Sequence, residues 1–152
     1  MGTRSGLEST LVGVTGEYFV AAELSARGYI ASITLRNSRG IDIIASSPDA
    51  SRSVSIQVKT SSGGGPKWLL TKKSEAFCCD NHYYVFVLLH GVGMRPDFHI
   101  VPSDVVAEHI STNHRQWLAR PKADGSPRKD SSMRNFRDSD GKYKERWTTL
   151  NL

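Results

Sequence analysis

Three polar side chains interrupt short apolar runs in the first half of the chain: Asp42 in "GIDIIA", and Gln57 with Lys59 in "VSIQVKT". A carboxylate and an amide carbonyl are hard oxygen donors of the kind Mg²⁺ prefers, with water and a substrate phosphate filling the remaining octahedral positions. Lys59 stands two residues beyond Gln57, so on an extended strand both point to the same side. There an ammonium can orient an attacking water or oppose the charge that develops on phosphoryl oxygens. This is equipment for metal-assisted phosphodiester hydrolysis. A second carboxylate, Glu17, lies upstream in a segment of helical period.

The elements that must position these groups follow from periodicity. Leu11 to Arg27 reads as a helix in which Val14, Ala21 and Leu24 recur at helical spacing, with Gly28 placed for a left-handed C-terminal cap. Glu17 belongs to that stripe, three residues after Val14 and four before Ala21, so it turns inward, while Glu23 points away. "YIASI" (29–33) reads as a strand, "RNSRG" as a turn and residues 41–45 as a second strand. In the third strand, 54–59, Val54, Ile56 and Val58 share one face and Ser55, Gln57 and Lys59 the other. These three polar residues also fit the wet face of a half-exposed strand. "SSGGGPKW" reads as a loop, residues 72–77 as a short helix, "YYVFVLL" (83–89) as a central buried strand and "DFHIVP" (97–102) as another. Ser103 is placed to cap a helix through Ile110. The first three strands form an expected meander that lets Glu17, Asp42, Gln57 and Lys59 converge.

The chain of 152 residues suits one domain, 38% hydrophobic and 23% charged, with no apolar run near the roughly 20 residues needed to cross a bilayer. "MGTRSGLEST" carries no apolar segment behind its arginine, and a cytoplasmic location is expected. Cys78 and Cys79 are adjacent, which suits neither a disulfide framework nor a zinc site; they are expected as small buried or half-buried thiols. Residues 1–110 hold ten Lys/Arg and ten Asp/Glu, whereas 111–152 hold ten and five, so the net charge of +5 resides in a basic C-terminal extension expected to pack back on the core. The five histidines show no pair at metal-ligand spacing on one element. No G-x-S-x-G elbow or G-x-x-x-x-G-K-[ST] loop is present.

The series Glu17, Gly40-Ile41-Asp42 and Gln57-Val58-Lys59 resembles the PD-(D/E)XK nuclease superfamily over roughly residues 11–105. It is similar to archaeal Holliday-junction resolvases in the interval from Glu17 to Gly28, and to Mrr-like restriction enzymes in having Gln57 where a carboxylate is usual. Ile41 stands where the motif has proline. The resemblance implies an α/β restriction-endonuclease-like core (α-β-β-β-α-β) with a mixed central sheet flanked by helices. It also implies Mg²⁺ or Mn²⁺ as cofactor, with Asp42 as principal ligand, Gln57 and the Val58 carbonyl as accessory ligands, Lys59 as the catalytic lysine and Glu17 as the helix-borne acid. Thr60 or Ser61 would add a phosphate contact. Trp68 beside Lys67 could stack on a base, and Lys72 and Lys73 could meet the nucleic-acid backbone. The expectation is a DNA endonuclease acting as a homodimer. Two alternatives stay open: a module of the same fold that binds nucleic acid or protein without cutting, and an interaction domain with no nucleic-acid role.

Overall fold

A computed structural model describes residues 8–35 and 39–152. Helix α1 (Ser9–Ala26) buries Val12, Gly16, Val20 and Leu24, a stripe with one residue per turn. It ends as the glycine predicts: Gly28 takes a φ of 87°, and the Tyr29 amide reaches back to the Leu24 carbonyl. Gly16 allows an unusually close approach to the sheet. A Cβ placed there would sit 1.8 Å from Thr60 Oγ1.

The chain then forms β1 (Ile30–Ile33), β2 (Ile43–Ser46) and β3 (Ser53–Ser61), an antiparallel meander. The first three residues of the "RNSRG" turn lie outside the described residues; Arg39 and Gly40 do turn. Strand β4 (Lys67–Thr71) and a single 3-10 turn (Lys72–Glu75) lead to β5 (His82–Leu88), which pairs parallel to β3. Strand β6 (Asp97–Pro102) adds antiparallel to β5, giving the mixed order β1-β2-β3-β5-β6. Helix α2 (Ser103–Ala119) and β7 (Met133–Arg137) follow, then a final 3-10 turn, Trp147–Leu150. Strands β4 and β7 make a separate antiparallel ribbon.

Two apolar layers sandwich the sheet. On one face Val20 and Leu24 of α1 pack on Ile43, Val54, Ile56 and Val58, joined from the tail by Trp147 and Leu150. On the other, Tyr84 and Phe86 of β5 meet Val106 and Ile110 of α2 and Trp68, Leu70 and Phe136 of the ribbon. Strand β5 is covered on both faces, as its unbroken apolar run requires.

Several expectations are corrected. The segment 72–77 forms one 3-10 turn instead of a helix, and the strand at 67–71 replaces the end of an expected loop. Helix α2 continues past Ile110 to Ala119. Ser103 does not cap it; its hydroxyl bonds the Cys79 carbonyl and receives the Cys79 amide. Both cysteines are exposed, not buried. None of the described helices is long and apolar enough to cross a membrane.

Candidate active site

Asp42 stands just before β2, yet its backbone prolongs the ladder. Its amide donates to the Ile56 carbonyl (2.8 Å) and its carbonyl accepts the Thr34 amide (2.9 Å). The Thr34 hydroxyl adds a bond to the Ile41 carbonyl (2.6 Å), fixing this stretch from the other side. Thus held, the Asp42 carboxylate accepts the Val58 amide at Oδ2 (2.7 Å). Burial pushes the Asp42 carboxyl above the usual aspartate value, and this outweighs the opposing pull of the Val58 N–H and of the Lys59 charge. A carboxylate that is costly to ionise gains most from a cation.

Glu17 borders the same opening as Asp42. It is half-buried on the flank of the α1 stripe, and with Asp42 it lines a cleft of about 240 Å³ between the first turns of α1 and Thr34. The remaining wall carries the hydroxyl residues Ser9 and Thr10. Two carboxylates and nearby hydroxyls form a hard oxygen set that fits Mg²⁺ or Mn²⁺. No group of three or more His, Cys, Asp and Glu side chains gathers among the described residues, so a cation held here would need oxygen donors beyond those types.

Gln57 and Lys59 do not open into that cleft. They line a second cavity of about 440 Å³ on the ribbon side of the sheet, with Leu69, Phe77 and Tyr84 as apolar wall and Arg39 and Lys73 as further cations. Strand β3 therefore separates two openings. Asp42 connects them, because its carboxylate binds the β3 backbone at Val58 and feels the charge of Lys59. Thr34 and Arg39 escaped the sequence reading, since neither belongs to a periodic element.

The residues expected to meet nucleic acid are placed unequally. Lys67, Lys72 and Lys73 are exposed. Trp68 is 2% exposed: its indole packs on Phe86, Phe136 and His99, and Nε1 donates to the Val87 carbonyl (2.8 Å). Its ring is given to the core and is not presented to a base. Thr60 Oγ1 is buried against Gly16 with no hydrogen-bond partner among the described residues, so it packs the helix and does not face solvent phosphate. The Ser61 hydroxyl is turned to the Gly63 carbonyl (2.9 Å) of the glycine loop.

No protein-family model matches the chain, and no curated protein matches it by sequence. Among solved structures, the bacterial homing endonuclease I-Ssp6803I is similar, with a TM-score of 0.54 and 14% identity over 99% of this chain and 94% of that one. An Archaeoglobus fulgidus Holliday junction resolvase, Hjc, aligns with a TM-score of 0.47 and 13% identity over 84% of each chain. With its mixed sheet between helices, the chain has the restriction-endonuclease-like nuclease fold.

Proposed function

We propose that the protein is a metal-dependent endonuclease that hydrolyses DNA phosphodiester bonds. The observation that carries this reading is the Asp42 carboxylate, fixed on the Val58 amide with Glu17 in one opening and the Lys59 charge on its other side. Asp42 and Glu17 would hold Mg²⁺ or Mn²⁺, with the Val58 carbonyl as accessory oxygen donor, while Gln57 lies on the other side of β3. A bound divalent ion supplies charge neutralisation for the phosphate and a more acidic water. Lys59, on the ribbon side of β3, would oppose charge on the phosphoryl oxygens of a substrate that reaches both openings. Asp42 keeps its geometry through Val58, so little rearrangement is needed when the site fills. Lys67, Lys72 and Lys73 contribute phosphate contacts. A homodimer would bring two such sites to the two strands of one substrate, and a monomeric mass over a wide concentration range would count against it.

A second reading is favoured by one feature: Gln57 opens on the apolar cavity, away from the Glu17 cleft. A neutral amide turned from the carboxylates suits a nuclease-fold module that binds nucleic acid without cutting it. Wild type, Asp42→Ala and Lys59→Ala should be incubated with plasmid, linear, single-stranded and branched DNA in Mg²⁺, Mn²⁺ or EDTA. Cutting that needs metal and disappears in both folded variants supports the nuclease. Folded wild type that cuts nothing supports the module, and cutting that survives both substitutions removes the proposed site.

A further inference from the structure

The ribbon of β4 and β7 buries one face and leaves the other open. Trp68, Leu70, Arg134 and Phe136 point inward, while Lys67 faces Arg137, Leu69 faces Asn135 and Thr71 faces Met133 on the outside. The outer face contains two cations, an amide, a hydroxyl and two apolar side chains, and no carboxylate. Leu69 and Met133 are 55% and 54% exposed, more than a ribbon that merely caps a core requires.

This face is continuous with a groove of about 530 Å³ between β7 and the C-terminal half of α2. Arg120, Arg128, Arg134 and Arg137 line it, together with Asn113 and Gln116. Asp130, the carboxylate beside it, is bound to His114 (2.7 Å). Arg134 is committed beneath the ribbon to Glu75 and to the Ser131 and Met133 carbonyls, so it braces β7. At its other edge the ribbon reaches the Lys59 cavity, where Leu69 and Thr71 form part of the wall. A positive surface therefore extends from the arginine groove across the ribbon to Lys59.

We propose that this outer face enters the major groove of duplex DNA, with Asn135 and Arg137 reading base edges and Lys67, Arg120 and Arg128 contacting phosphates. The inference rests on the DNA reading above and adds where and how the duplex is held. Major-groove width admits a two-stranded β-ribbon, Asn pairs bidentately with adenine and Arg with guanine, and apolar side chains meet thymine methyls. Asn135 and Arg137 are two residues apart, about 6.8 Å along a strand, which matches about two base steps at 3.4 Å each. The two reading positions are thus two base pairs apart.

The test selects preferred sites from a random pool of short duplexes with wild-type protein in EDTA, where no cleavage can contribute. Asn135→Ala and Arg137→Ala are expected to melt like wild type and to lower the preference for selected over random duplex about 5- to 150-fold, each relaxing its own position. Lys67→Ala and Arg120→Ala should weaken all duplexes alike and each reduce the salt slope by about one. No selection by wild type, a preference unchanged in both ribbon variants, or equal binding of single strands or RNA overturns the inference. Metal-dependent cutting with ribbon-independent preference would sink this inference and leave the nuclease standing. Ribbon-dependent selection without cutting would do the reverse.

Discussion

Asp42→Asn should stabilise the metal-free protein while ending its response to divalent cations. Asparagine keeps the shape and an oxygen for the Val58 amide, now 2.7 Å from Oδ2, and removes a charge that burial disfavours more than Val58 and Lys59 favour it. Because the folded aspartate value is raised, the wild-type contribution is full below the ordinary value of about 3.9 and is lost as pH rises through the folded value. At pH 7 the variant should gain about 0.5–1 kcal/mol, the low end of typical stabilising changes because the group is only half-buried. That is a rise of about 1–4 °C in Tm for a chain of this size. Asp42→Ala instead leaves the Val58 amide without its acceptor and should cost about 1–3 kcal/mol. Thermal melts in EDTA and with Mg²⁺ decide it. Mg²⁺ at ten times its Kd should add about 1.4 kcal/mol to wild type and nothing to Asp42→Asn. An asparagine variant that melts below wild type at pH 7 in EDTA, or one that still gains from Mg²⁺, would refute the reasoning.

Gly16→Ala should lose about 1–3 kcal/mol through overpacking against Thr60, and urea melts should show partial rescue when Thr60→Ala is added, because the hydroxyl that blocks the new methyl is gone. Trp68→Phe should cost about 1–3 kcal/mol by leaving the Val87 carbonyl without its donor, yet leave DNA affinity of the folded protein unchanged in a gel-shift titration. Burial pushes the Glu145 carboxyl up, but bonds from Arg95 (2.6 Å) and Trp147 (2.9 Å) outweigh it and hold it below the usual glutamate value. Its contribution is present above pH about 4.3 and lost as pH falls through the lower folded value, so Glu145→Gln should flatten the acid limb of a stability-against-pH curve by less than about 1 kcal/mol.

What could be read from the residues was whatever depended on near neighbours. The alternation of β3, the glycine cap of α1 and the apolar run of β5 each report a local period, and the structure reproduces them. Glu17 turns towards the interior side, although the fully buried stripe is Val12, Gly16, Val20 and Leu24. The ribbon was illegible because "KWLLT" is short, follows three glycines and pairs with a strand far along the chain. For the same reason Trp68 looked available to a base: the surfaces that bury it arrive with Phe136 and His99. The polar second half of α2 lacks an apolar stripe, and its contacts come from the tail, His114 meeting Asp130 and Trp117 lying under Arg128. The separation of Lys59 from Glu17 is likewise a property of two sheet faces, which a list of spacings does not resolve.

The link between β3 and β5 is a strand and a single 3-10 turn in place of a helix, and that strand finds its partner only in β7. A helix forms from its own residues, but this cover closes by joining distant segments and must first offset a large loop-closure entropy. During synthesis the meander and α1 can assemble while Leu69 and Leu70, which wall the Lys59 cavity, still await Met133–Arg137. The Lys59 cavity is therefore completed after the Asp42 cleft. A chain still on the ribosome lacks the finished cavity until the tail has emerged.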